Sequence, residues 1–260
     1  MSTRLACRPP ARRRSPVFSP GGRLVATAGN DSTVRLWNPV AGRLVRTITG
    51  HVGAVQSVVF SPDGRRLASA GADKTVRLWQ SGTGRAIGEA LKTSEGPVYA
   101  MNFSPDGKLL ATSDGGNVVR LWDPATGGAA GGPLTGSAGP VLNLTFNRNG
   151  KLLATSSGGD NTVRLWDLET RRQIAVPLTG HTKPVRAMRF SPRGRVLATG
   201  GDDGTVRLWD TTTGSPKGSP LLGHEGQVWA LRISPDGKRL ITAGVDDKVR
   251  LWPLTTRNAA

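Results

Sequence analysis

Residues 223–252, GHEGQVWALRISPDGKRLITAGVDDKVRLW, show how apolar and polar positions are arranged along the whole chain. Val228, Leu231 and Ile233 belong to a first short strand. SPDG at 234–237 reads as a turn: proline presets φ, aspartate caps, and glycine supplies a positive φ. KRLITAG is a second strand, VDD turns again, and KVRLW is a third strand with β-branched and aromatic bias. After each such unit but the last come 12 or 13 residues rich in Gly, Pro, Thr and Ser. They hold a loop and a weaker fourth strand, such as RLVRTI at 43–48. Four short antiparallel strands make one small twisted sheet. Both faces carry apolar residues, so neighbouring sheets must cover it, and a ring of such sheets meets that need.

The unit recurs. Six of the seven tryptophans end the word RLW, at Trp37, Trp79, Trp122, Trp166, Trp209 and Trp252, in steps of 42, 43, 44, 43 and 43 residues. TVRLW stands at 33–37, 75–79, 162–166 and 205–209, and VVRLW at 118–122. A fixed period of this length marks a repeat architecture. Gly-His occurs at 50–51, 180–181 and 223–224, and Trp-Asp at 122–123, 166–167 and 209–210. On these words the chain resembles the WD-repeat β-propeller family over nearly its whole length. The resemblance implies an all-β fold of about six four-stranded antiparallel blades, incomplete at the ends. Departures are Trp37-Asn38, Trp79-Gln80 and Trp252-Pro253, Ser94 and Ser137 at the histidine position, and Gly116 at the turn aspartate.

Composition adds bounds. A chain of 260 residues with 37% hydrophobic content can bury a sizeable core. No apolar run approaches the roughly 18 residues of a membrane span, so no membrane partner is expected. Cys7 is the single cysteine, which excludes an internal disulfide and a cysteine-based metal site and fits a cytoplasmic location. The net charge of +17 invites a nucleic-acid reading. However, Arg35, Arg77, Arg120, Arg164, Arg207 and Arg250 belong to the repeated RLW word, and Arg4, Arg8, Arg12, Arg13 and Arg14 form one basic arm. Nucleic acid is therefore a possible partner but not the favoured one. A targeting peptide is not expected either, because Pro9, Pro10, Pro16 and Pro20 would break its helix.

Three sets combine histidine, a hydroxyl and aspartate: His51, Ser69, Asp73; His181, Thr199, Asp203; His224, Thr242, Asp246. Each could be read as a nucleophilic triad. Recurrence in one repeat register argues against that, since an enzyme rarely builds its site in triplicate. The resemblance implies buried structural tetrads instead, with Trp79, Trp209 and Trp252 as fourth members. Chains shortened or broken by Ser94 and Ser137 are expected to leave their blades less rigid. No Gly-rich phosphate loop, metal cluster or unique carboxylate pair is present, so no cofactor, no metal and no enzymatic activity are expected.

The seventh tryptophan, Trp229, lies five residues after the histidine position. The same place holds Arg14, Gln56, Tyr99, Leu142 and Arg186, each after the first preceded by valine: Val55, Val98, Val141, Val185 and Val228. A constant valine packs, and its variable neighbour faces the rim of the central channel. Aromatics and arginine are enriched in binding hot spots. The resemblance adds the residues before the turn aspartate: Asn30, Ala72, Gly159, Asp202 and Val245, with Gly115 before Gly116. The expected partner face comprises Trp229, Arg186, Tyr99, Gln56, Leu142, Asn30 and Asp202.

Residues 1–14 are expected to form a basic arm, with TRLAC at 3–7 a candidate closing strand, and residues 15–260 the propeller. Arg12 to Arg14 make the first inner strand poor. Two readings of the ends stand side by side: a six-bladed ring with ragged closure, or a fragment of a protein with seven or more blades. The leading function is a non-catalytic scaffold that binds a protein or peptide on one face. The alternatives are a regulatory or sensory fragment of a larger signalling protein, and an anion or nucleic-acid binder using the arm and Arg186.

Overall fold

The computed structural model describes residues 16–93, 96–113 and 115–254. The arm, the closing strand at 3–7, Arg12 to Arg14 and Ser94 lie outside them. The described residues contain strands and no helix, so no helix is long and apolar enough to cross a membrane. Six antiparallel sheets follow one another along the chain, and strands within each pair in sequence order. The second sheet is representative: Val55–Phe60, Arg66–Gly71, Thr75–Gln80 and Ala86–Lys92.

The turn between the first and second strands is identical in kind in all six blades. Gly22, Gly64, Gly107, Gly150, Gly194 and Gly237 each hold φ near +70°, between 67° and 74°. An L side chain there would be strained, which fixes glycine at the fourth turn position.

Each sheet buries one face against the next. Ala26, Val34, Leu36 and Ile48 of the first blade pack on Val55, Val58, Phe60, Leu67 and Trp79 of the second. The same arrangement repeats four more times, ending with Val206 and Leu208 of the fifth blade on Val228, Leu231 and Leu240 of the sixth. Hydrogen bonds join the inner strands as well. Ser113 Oγ donates to the Val141 carbonyl (2.9 Å), and Ser156 Oγ donates to the Val185 carbonyl (3.0 Å).

The outer edge departs from expectation. Fourth strands are full in the first two blades, Arg43–Ile48 and Ala86–Lys92. They shrink to Gly128–Ala129 and Arg172–Gln173 in the next two. The fifth blade keeps only the bridges Val206↔Leu221 and Trp209↔Pro216. Sequence explains this: Pro133, Pro177 and Pro220 precede the bridging Leu134, Leu178 and Leu221, and proline cannot donate to a ladder. The sixth blade has three strands among the described residues.

The six RLW tryptophans occupy equivalent places. Each donates its indole N–H to the hydroxyl on the second strand: Thr27, Ser69, Thr112, Thr155, Thr199 and Thr242, at 2.8–3.0 Å. Their burial is unequal. Trp79, Trp122, Trp166 and Trp209 are buried, whereas Trp37 and Trp252 are half-buried. This corrects the expectation that Trp252 is fully buried. Its counterparts are covered by an outer-strand residue such as Ala86, Ala129 or Gln173, and the sixth blade offers none among the described residues. No core cluster packs a preceding blade against Trp37 among the described residues.

Trp209→Ala should therefore lower unfolding free energy by about 3–5 kcal/mol, the range for a buried large aromatic, and Trp252→Ala by clearly less. Urea unfolding of both variants checks this, and equal losses would contradict the burial difference.

Candidate functional site

The tetrads form continuous chains. In the second blade Trp79 Nε1–H donates to Ser69 Oγ (2.8 Å) and Ser69 Oγ is 2.8 Å from His51 Nε2. His51 Nδ1 lies 3.0 Å from Asp73 Oδ2. The fifth and sixth blades repeat this through Trp209, Thr199, His181, Asp203 and Trp252, Thr242, His224, Asp246. Donors and acceptors match for a neutral imidazole: Nδ1–H donates to aspartate, and Nε2 accepts from the hydroxyl. Ser69, Thr199 and Thr242 are fully buried, so a substrate cannot reach their hydroxyls without opening the blade.

Electrostatics agree with that tautomer. Burial pushes His51 and His181 below the usual imidazole value despite the aspartate beside each. Burial opposes ionisation of Asp73 and Asp203, but it is outweighed by backbone N–H groups of Val52, Thr182 and Thr205, the hydroxyls of Thr75 and Thr205, and the histidines. Both carboxyls end below their ordinary value.

Two blades without the histidine, the first and the fourth, keep the aspartate by another route. In the fourth blade Asp160 pairs with Arg164 (2.8 Å), the arginine of its RLW word. Arg164 and the Thr162 hydroxyl and N–H hold Asp160 at about 2 against the cost of burial. Asp31 pairs with Arg35 in the first blade. In the sixth, Arg250 Nη1 lies 2.7 Å from Asp246 alongside the histidine. In the fourth blade the chain is shortened to the Trp166–Thr155 bond among the described residues; in the third the Trp122–Thr112 bond is present, and Ser94 lies outside the described residues. The aspartate–arginine substitute was not read from sequence, although the constant i, i+4 spacing carried it.

The rim positions share a backbone feature. In the second, fourth, fifth and sixth blades the register slips by one residue at Gln56, Leu142, Arg186 and Trp229. Such a bulge leaves a residue out of the ladder and re-aims its side chain. Tyr99 precedes its strand, Ala100–Phe103, and donates its N–H to the Ser113 carbonyl (2.9 Å). Trp229 is 59% exposed, and Gln56, Tyr99, Leu142 and Arg186 are half-buried. Asn30 is exposed on its own turn.

Two of these are brought into direct contact. Arg186 Nε reaches both carboxylate oxygens of Asp202 (3.0 and 2.9 Å), and Nη2 lies 2.8 Å from Oδ2. The charge of Arg186 is thus compensated within its own blade. Trp229 and Arg186 line one open cavity of about 350 Å³ in the channel, together with Asn102, Asn143, Arg189 and Arg232. Gln56, Tyr99, Leu142 and Asn30 do not line it. No group of three or more metal-ligating side chains occurs among the described residues.

Six successive sheets packed face to face, each with the same internal tryptophan–hydroxyl bond, define a β-propeller, and comparison places it. The WD domain, G-beta repeat profile matches residues 14–38, 42–80, 88–123, 131–167, 171–210 and 214–253. The chain belongs to this family, whose members are generally non-catalytic and typically mediate protein–protein interaction. A 36-residue segment is 50% identical to the Notchless protein homolog of Arabidopsis thaliana, covering 14% of this chain and only 8% of that protein. The crystal structure of the computationally designed protein Ika8 superposes with a TM-score of 0.80 at 25% identity, covering 92% of this chain and 70% of that one.

Stability should be full above pH 6.5 and fall as pH drops below it. The depressed histidines must take up protons that the unfolded chain already binds near 6.5. A second loss of the same sign follows below 3.8, where the unfolded carboxyls become protonated before Asp73 and Asp203 do. Thermal melts across pH measure this, and His181→Gln should flatten the upper limb. An unchanged slope would rule out the neutral-histidine chain. His224→Ala should cost about 1–3 kcal/mol in urea unfolding, as unsatisfied buried partners do.

Proposed function

We propose that this propeller is a non-catalytic scaffold that binds a protein or peptide on the face carrying the bulge residues. The carrying observation is the bulge itself: in four blades one equivalent position leaves the ladder, varies from Gln to Leu to Arg to Trp, and presents an exposed tryptophan. Packing demands are similar in every blade and would favour similar residues, so the variation matches a partner rather than a neighbouring sheet. Asn30 and Asp202, before the turn aspartates, would extend the same face. The lone Cys7 is consistent with work in a reducing compartment such as the cytoplasm.

A photo-crosslinking residue placed at Gln56 identifies the partner, and affinity is then measured on otherwise unmodified protein. Trp229→Ala should weaken binding by at least about 1–2 kcal/mol, as a hot-spot aromatic does, with little change in melting temperature. Loss of stability comparable to Trp209→Ala would make Trp229 a core residue and remove the assigned face.

The basic arm motivates a separate check. Deleting residues 1–14 should leave weak DNA binding and its salt dependence unchanged. If the arm binds duplex DNA, the log–log salt slope will instead shrink by about 0.9 per lost phosphate contact.

A further inference from the structure

The opposite end of the channel holds charge that no acid of its own wall compensates. An open cavity of about 440 Å³ lies at the foot of the third to sixth blades, beside the first turns. Its wall includes Arg148, Arg189, Arg232 and Asn147 and contains no acidic residue. Arg189 and Arg232 sit on adjacent inner strands, Val185–Phe190 and Val228–Ile233, each directly before the last strand residue. Both also line the channel cavity above, so the two spaces meet at these guanidinium groups.

Their hydrogen bonding is incomplete. Arg189 forms no ion pair or hydrogen bond among the described residues, and its Nε is buried without a partner. Arg77 and Arg207 also have a buried unpartnered Nε, but each lies beside the histidine–aspartate pair of its blade. Arg232 gives one bond, from Nη1 to its neighbour's Leu231 carbonyl. Arg148 is exposed and unpaired among the described residues. Asn147 is only 4% exposed. Its Oδ1 accepts from Leu152 N–H, which fixes the amide orientation and leaves its NH2 group without an acceptor. The acids of the adjoining turns are engaged elsewhere. Asp106 accepts from Ser104 and Lys108, and Asp236 from Ser234 and Lys238. Burial, followed by the Arg232 charge, pushes the Arg189 guanidinium below its usual value.

We propose that Arg189, Arg232, Arg148 and Asn147 form a binding site for a multivalent oxyanion of the phosphate class at the foot of the channel. Planar guanidinium groups match the oxygens of phosphate and carboxylate in forked pairs. Three uncompensated cations call for more than one negative charge, which favours a phosphate-class ligand over a single carboxylate. Such a ligand faces the side chains of Arg189, Arg232, Arg148 and Asn147 that line the cavity and offsets the repulsion between Arg189 and Arg232. Trp229 and Arg186 line the channel cavity above but not this one, so Trp229→Ala removes no group of the site.

Calorimetric titration of the 260-residue protein with inorganic pyrophosphate, at constant ionic strength, tests this. Tricarballylate serves as the carboxylate arm. Saturable binding of pyrophosphate near one per chain is expected, weaker with tricarballylate. Arg232→Gln and Arg189→Gln should each weaken it by about tenfold or more, the loss of a charge-assisted pair. Arg172→Gln, on an outer strand, should leave it unchanged. Asn147→Asp keeps the bond to Leu152 but places a negative charge in the wall and should abolish binding. Arg232 is exposed, so its variant decides the matter even if Arg189→Gln fails to fold. Absence of saturable binding, equal affinity in the Arg232→Gln variant, or tighter binding of tricarballylate would overturn the proposal.

Discussion

Everything in this structure depends on a blade having two apolar faces. A three- or four-stranded sheet of this size cannot keep both dry, so each blade is stable only between neighbours. The third-strand leucine and valine of one blade meet the first-strand phenylalanine and second-strand leucine of the next. The approach is close. A Cβ added at Gly200 would lie 2.7 Å from Val228 Cγ1, so the glycine lets the fifth and sixth blades come together. The end faces show what the constraint means when it is not met. Val249 and Leu251 are 72% and 57% exposed, and Ile241 is 47% exposed, while their counterparts in the other five blades are at most 7% exposed. No core cluster joins the sixth blade to the first among the described residues.

A dry interface must also satisfy every polar group inside it, and that organises the conserved words of the repeat. The tryptophan contributes area but brings an N–H, which the second-strand hydroxyl accepts. The hydroxyl brings an O–H, which the histidine accepts. The histidine brings its own N–H, which the aspartate accepts. In the first and fourth blades, where the histidine is missing but the aspartate remains, the arginine four residues on supplies the counter-group with a full charge. These are different solutions in pH terms: a neutral imidazole fails as it protonates, while a guanidinium does not. Part of the basic character of the chain is therefore internal to the blades and unavailable to a partner, as Arg164 shows by being buried.

Much of this was legible in the sequence because the repeat makes each position its own control. The six sheets, the glycine turns, the three histidine chains and the register of Trp229 all follow from words that recur at fixed spacing. What was not legible depends on neighbours rather than on words. Trp252 carries the same RLW context as Trp209, yet it is half-buried because no outer strand covers it. The outer strands looked alike in composition, but in the third to fifth blades a proline before the bridging leucine reduced them to two-residue strands or isolated bridges. Arg186 read as a free cation, and its pairing with Asp202 required knowing that a residue 16 positions away folds back beside it. Arg189 and Arg232 gave no signal, since neither belongs to a recurring word. Only the stacking of inner strands brings them to one cavity wall.

The exposure of Trp229 has two structural sources, and they can be separated. It lies on the blade whose outer face is uncovered, so some of its accessibility could come from the same cause as that of Val249 and Leu251. Its equivalents decide the question. Arg186 occupies the same bulge in a blade that is covered on both sides, and its side chain is still 28% exposed. Gln56 and Leu142, also in covered blades, are half-buried rather than buried. The valine one residue earlier is nearly or fully buried in each of these blades, at 0–1% exposure. Partial accessibility at this position therefore does not depend on the open end, since covered blades share it, and the higher exposure of Trp229 adds the open face to it. Because the ladder does not constrain it, the side chain can change without disturbing the sheet. The same constancy that makes the repeat recognisable leaves this one position free to carry specificity.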